Sequence, residues 1–156
     1  MIKAATHEDV EDLVALGARM HDESPAWNRL TYSPEKVAHL LHQLINDPLG
    51  FVHVAIEAGR IVGGALAMAD QHWSSTDRIA SELAVFVVPE ARGKLHAAQL
   101  ILMLQGWATV IGAKHLRAGS STQVETDLTT RLYERLGFIR TPDVIMEYSC
   151  EAHRSQ

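Results

Sequence analysis

A chain of 156 residues, 47% of them hydrophobic, has enough apolar material for one domain with a substantial core and too little for two. Its formal charge of −5 and scattered basic residues exclude the strongly positive face that nucleic acid requires, and its one cysteine, Cys150, excludes an internal disulfide and makes a reducing cytoplasm the expected compartment. No window approaches the ~18 apolar residues of a membrane span, and the opening MIKAATHEDV lacks a long apolar core, so an unprocessed protein that does not enter a membrane is expected.

Residues 2–5 predict an opening strand. Thr6 followed by Glu8 and Asp9 reads as a helix start with acids in its first turn. Val10, Leu13, Val14, Leu16, Gly17 and Met20 then share one face, which predicts a helix ending near 20–22. The polar stretch 23–33, with Pro25 inside it, reads as a loop. Ser33 and Pro34 suit the cap and first turn of a second helix, with Val37, Leu40, Leu41, Leu44 and Ile45 as its buried stripe. Residues 51–57 alternate as a strand, Ala58 and Gly59 supply a turn, and 60–70 completes a hairpin, in which Gly63 and Gly64 mark a bulge or a close approach.

A loop over 71–77 precedes a strand over 79–88 that Pro89 ends. Ile101, Leu104, Trp107, Ala108 and Ile111 fit a helix over 95–111 that stops at Gly112. Residues 115–120 read as a strand, Thr126 as the cap of a helix reaching about 136, and 138–149 as two strands joined near Pro142 and Asp143. A single domain over 1–150 is expected, with 151–156 as a frayed tail and no repeat or linker.

The most informative stretch is 89–100, PEARGKLHAAQL, because it follows an apolar strand and opens a long helix. The first turn of a helix has backbone N–H groups with no intrahelical partner and the positive end of the dipole, so a phosphate can dock there. Gly93 permits a sharp turn, and Arg92 and Lys94 add charge. Taken alone, such a turn is either a phosphate cradle or a solvated basic turn.

A second segment, LYERLGF over 132–138, favours the cradle. Together the two resemble the acetyl-CoA signature of the GNAT superfamily, the GCN5-related N-acetyltransferases. In that family the turn reads Gln or Arg, two residues, Gly, one residue, Gly or Ala; Arg92 and Ala97 occupy its outer positions, and Leu95 stands where the middle glycine would be. The resemblance runs along nearly the whole chain. It implies an α/β (α+β) fold, with a mixed, mostly antiparallel twisted sheet of six to seven strands flanked by about four helices. It further implies acetyl-CoA as co-substrate and an amine as acceptor. The pantetheine arm would lie along Val85, Phe86 and Val87, and the pyrophosphate would meet Arg92, Gly93, Lys94, Leu95, His96, Ala97 and Ala98. A strand splayed from its neighbour leaves N–H and C=O groups that an extended amide chain can satisfy, and an N–H there can polarise a thioester carbonyl.

Tyr133 matches the tyrosine before the family's Leu-Gly-Phe ending, which implies an acid for the departing thiolate. A phenol of pKa about 10 is protonated at neutral pH and can donate; without the resemblance the same residue reads as a half-buried packing tyrosine. Several members place a glutamate near the position of Glu82, which makes it the candidate general base for an amine that is mostly protonated at neutral pH; the plain alternative is a solvated strand glutamate. Thr126 stands where some relatives bond the cofactor, although helix capping alone explains it. Trp27, Tyr32, His72 and Trp73 fall in loops that border the acceptor site in similar proteins, and Asp22 and Glu23 would attract a cationic acceptor or are solvated.

The nine histidines hold no ligand-rich cluster, with His39 and His42 three apart on a helix, so no metal is expected. Cys150 has no basic residue at an activating spacing and is a poor nucleophile candidate. The apolar stretch 144–148 would suit a homodimer contact at a sheet edge. The reading is an acetyl-CoA-dependent N-acetyltransferase acting in a ternary complex. The alternative is a module of the same fold that holds acetyl-CoA, or has lost it, and serves as a sensor or partner, since fold does not fix function. A cradle for another nucleotide is disfavoured because Gly93 lacks the GK[S/T] ending and the dinucleotide glycine triplet.

Overall fold

Alternating apolar residues, a two-residue turn at 58–59 and a loop at 72–77 turn 50–87 into three consecutive antiparallel strands, and the other elements are arranged around them. The computed structural model describes residues 1–150, and the frayed tail expected at 151–156 lies outside these. The strands are β1 (Ile2–Ala4), β2 (Gly50–Glu57), β3 (Arg60–Gln71), β4 (Arg78–Val87) and β5 (His115–Arg117), and the helices are α1 (Val10–Glu23), α2 (Pro34–Asn46), α3 (His96–Val110) and α4 (Thr126–Arg135). The sheet runs β1-β2-β3-β4-β5, antiparallel throughout except for the parallel pair β4 and β5.

Each boundary has a local cause. One 3-10 turn, His7–Asp9, precedes α1, and the Asp9 carboxylate accepts from the Thr6 N–H at 2.8 Å and the Lys3 ammonium at 2.7 Å. At α2 the Ser33 hydroxyl accepts from the Lys36 N–H at 3.3 Å, as its cap position predicts. Ala58 (φ 48) and Gly59 (φ 75) are both left-handed, which is the backbone a two-residue hairpin between β2 and β3 demands.

Helices α1 and α2 cover one face of the sheet and α3 the other. The α3 side is made of Leu100, Leu104 and Ile101 against Ala65, Ala67 and Ala80, all at most 1% exposed. Small residues on the strands let the helix approach closely. Gly63 and Gly64 resolve as close approaches: a Cβ on Gly63 would lie 2.9 Å from the Phe86 carbonyl oxygen, and one on Gly64 3.0 Å from Leu13 Cδ2. The bulge sits further along, where Leu66 pairs with Ala84 and Ala67 with Glu82, leaving Leu83 as the extra residue of β4.

Two features position the site. β5 pairs with Ile79, Ala80 and Ser81, so among the described residues the second half of β4, from Glu82 to Val87, has no neighbouring strand on that side. The strand expected over 115–120 ends at Arg117, and the chain leaves the sheet as a loop. The pair of strands expected over 138–149 does not form; Ile139, Val144, Ile145 and Met146 are exposed there. Alternation alone does not make a strand, which needs a partner edge. A three-residue β5 provides little edge, and Pro142 interrupts the run. The sheet among the described residues therefore has five strands where six to seven were expected, with the four helices and the mixed, mostly antiparallel pattern as anticipated. No helix among the described residues is long and apolar enough to cross a membrane.

Candidate active site

The splay between β4 and β5 opens a cleft of about 230 Å³, walled by β4, the turn after it, the loop 119–125 and α4. Glu82 and Tyr133, distant in sequence, meet in its lining: the Tyr133 hydroxyl donates to the Glu82 carboxylate. The backbone N–H of Gly119 donates to the same carboxylate. Burial pushes the Glu82 carboxyl up to about 7, and the Tyr133 and Gly119 hydrogen bonds moderate the shift. Burial, reinforced by the charge and hydrogen bond of Glu82, holds the Tyr133 phenol above its ordinary value, so it is a protonated donor at neutral pH. Tyr133 is 7% exposed, with Phe138 edge-on at 5.0 Å.

The turn after β4 has room for an anion at its backbone. Gly93 has φ +79, and a Cβ there would meet no atom within 4 Å. Leu95, the departure from the family pattern, has φ −80 and is an ordinary right-handed residue, so the left-handed position of the turn falls at Gly93 alone. The first N–H groups of α3, on His96, Ala97 and Ala98, have no partner within the helix.

The basic side chains behave differently from their expected role. Arg92 turns inward: its Nε donates to the Val87 carbonyl at 3.0 Å, and its two terminal nitrogens donate to the Glu23 carboxylate at 2.6 and 2.7 Å. Its guanidinium carbon lies 5.4 Å from the Phe86 ring centroid, and Glu125 stands 3.9 Å from a terminal nitrogen. Lys94 pairs with Glu57, which also takes His96 Nε2 at 2.9 Å. Hydrogen bonds from Lys94 first and His96 second hold the Glu57 carboxyl below its ordinary value. Glu23, read as an attractor for a cationic acceptor, is instead engaged by Arg92.

Of the residues singled out for the cofactor, Val85, Phe86, Val87, Arg92, Gly93, Lys94 and Ala97 line the cleft. Leu95, His96, Ala98 and Thr126 do not. Leu95 is 70% exposed at the helix start, and Thr126 is the first residue of α4, not its cap, because Glu125 (φ 45) takes that position. Sequence reasoning missed the loop contribution of Gly119, Thr122 and Glu125. The signal was a small polar run, AGSSTQ, directly after a strand. Ser24, fully buried, donates to the Thr122 carbonyl at 2.5 Å and fastens this loop to the end of α1.

A second cavity, about 350 Å³, lies between α1, α2, the loop at 27–33 and the sheet. Ala84 and Phe86 of β4 line both cavities. Trp27 and Tyr32 wall it, with the Tyr32 hydroxyl donating to the Val14 carbonyl at 2.7 Å, whereas His72 and Trp73 are outside its lining and Trp73 is 92% exposed. Among the described residues no group of His, Cys, Asp and Glu is placed to hold a metal ion.

Residues 17–138 match the sequence profile of the Acetyltransferase (GNAT) family. No curated protein matches the chain. Among solved structures, it is similar to the aminoglycoside N-acetyltransferase AAC(6')-Iy in complex with CoA, at 19% identity and TM-score 0.75 over 96% of this chain and 94% of that one. It is also similar to a Trypanosoma brucei acetyltransferase, at 19% identity and TM-score 0.71 over 96% and 98%. A transcriptional regulator from Bacillus halodurans C-125 matches at 20% identity and TM-score 0.73 over 96% and 99%. At these identities the likeness concerns the fold.

Proposed function

Because this chain belongs to the Acetyltransferase (GNAT) family, we propose that it transfers an acetyl group from acetyl-CoA to a primary amine by direct attack in a ternary complex. The observation that carries this reading is the Glu82–Tyr133 hydrogen bond, formed beside a strand edge that no other strand covers. Acetyl-CoA supplies the thioester. The residues present fit it: the uncovered edge of β4 at Val85 and Val87 suits an extended amide arm, with the Val87 carbonyl already taken by Arg92, and the turn at Gly93 with the first turn of α3 suits a pyrophosphate.

The chain's own groups account for the proton traffic. Glu82, titrating near neutrality, takes a proton from the amine as nitrogen bonds to the acetyl carbon. Tyr133 gives its hydroxyl proton to the sulfur as the carbon–sulfur bond breaks, and recovers one from the newly protonated Glu82 through the hydrogen bond they already share. One proton enters at nitrogen and one leaves at sulfur, so the pair returns to its starting state. The acceptor approaches from the second cavity, across β4, where Trp27 and Tyr32 stand.

A module without catalysis is the second reading, and one observation favours it: Arg92 and Lys94 are both held by carboxylates and do not present free charge to a pyrophosphate. Calorimetric titration with acetyl-CoA, CoA and ADP separates the two. Saturable one-to-one binding of acetyl-CoA and CoA well above ADP is expected. No heat at high ligand concentration would leave the module without cofactor as the better account.

A further inference from the structure

The second cavity has a wall unlike that of a site for a polycation. Among the described residues that line it, none is Asp or Glu. Leu13, Leu16, Leu40, Leu66 and Phe86 are among its apolar lining, and the charged group at its rim, Lys36, is itself a cation on an exposed position. Placing a second ammonium in such a space would strip its water and return no ion pair, a costly transfer, and Lys36 would repel it. An apolar body gains from the same wall by leaving water.

The apolar wall also helps the reacting nitrogen. Desolvation disfavours the charged form of an amine, and the uncharged form is the nucleophile. A single amine entering from this side therefore loses its proton more readily as it approaches Ala84 and Phe86, the two residues common to both cavities. The few polar side chains in the lining include His21, Thr31 and Ser33.

From this geometry we infer that the acceptor is a small primary amine with an aliphatic or aromatic body and no second positive charge, seated between α1, α2 and β4. The inference rests on the acetyl-transfer reading above for its chemistry, but the seat itself can be tested without acetyl-CoA. It separates this chain from what its fold neighbours' names suggest, since an aminoglycoside carries several ammonium groups.

The test uses 2-phenylethylamine and spermidine as probes on the full chain. Tryptophan fluorescence is followed during titration with each amine in the absence of acetyl-CoA, on the unmodified protein and on Trp27→Phe, because Trp27 lines the cavity. A saturable change with 2-phenylethylamine that Trp27→Phe abolishes, with spermidine weaker by about tenfold or more, is the expected result. No saturable response to 2-phenylethylamine, or tighter binding of spermidine, overturns the inference. With acetyl-CoA present, thiol release should favour 2-phenylethylamine by a similar factor in kcat/KM, and Lys36→Glu, a surface change, should narrow that gap several-fold. Binding without thiol release from any amine would sink the transfer reading and leave the seat standing; thiol release with spermidine preferred would do the reverse.

Discussion

The two sides of β4 differ in the chemistry they present, although they share Ala84 and Phe86. On the cleft side, carboxylates, hydroxyls and backbone groups converge: Glu82, Tyr133, Thr122, Glu125 and the turn at Gly93. On the other side the wall is almost all hydrocarbon. Glu82 falls in the cleft lining and the next residue, Leu83, in the cavity lining, as successive side chains of a strand do. A strand of ten residues thus lies between a polar surface and an apolar one.

The contrast is broken most severely at the acid–base pair. Glu82→Gln and Tyr133→Phe are each expected to lower kcat by ~10²–10³-fold with cofactor affinity intact, and the double variant should lose little beyond the worse single one. Losses that multiply would mean the two groups act independently and there is no relay. A smaller effect sharpens the same point through pH. Glu82 must shed a proton before it can accept one, so kcat/KM should carry, beneath the rise from the amine's own ionisation, a limb at about pH 7 that Glu82→Gln removes. Stability moves the other way: the folded-state value lies above the ordinary 4.5, so the stabilising contribution is present at acid pH and is lost as pH rises through about 7. In scanning calorimetry Glu82→Gln should therefore raise Tm more at pH 8 than at pH 5. An equal gain at both would show that Glu82 titrates normally.

The smallest effect concerns the cleft mouth. Glu57→Gln frees Lys94 and His96, and should tighten CoA by ~2–5-fold at low salt, fading at high salt, in the same calorimetric titration. An unchanged affinity would show that Lys94 does not reach the phosphates even when free.

Elements with local causes were legible in the sequence. Ser33 and Pro34 start α2, Ala58 and Gly59 turn the hairpin, Gly112 stops α3, and the strand–turn–helix at Gly93 has the expected order. Residues 138–149 were misread because a strand depends on a partner edge, and β5 is too short to offer one. In the site, the family resemblance pointed to Glu82 and Tyr133 separately, but not to their hydrogen bond, which depends on how α4 docks against the splayed sheet. The pairing of Arg92 with Glu23, at the far end of α1, is beyond a one-dimensional reading. The apolar cavity was equally hidden, since its wall is drawn from two helices, a loop and two strands.

The backbone at Leu95 has a consequence for how such turns are recognised. At φ −80 the backbone position makes no left-handed demand that only glycine meets, and its side chain stands 70% exposed. A search pattern that requires glycine there records a habit of spelling, whereas the shape of the turn is kept by a different letter, Gly93. Chains that vary at the first place and hold the second belong in the same alignment.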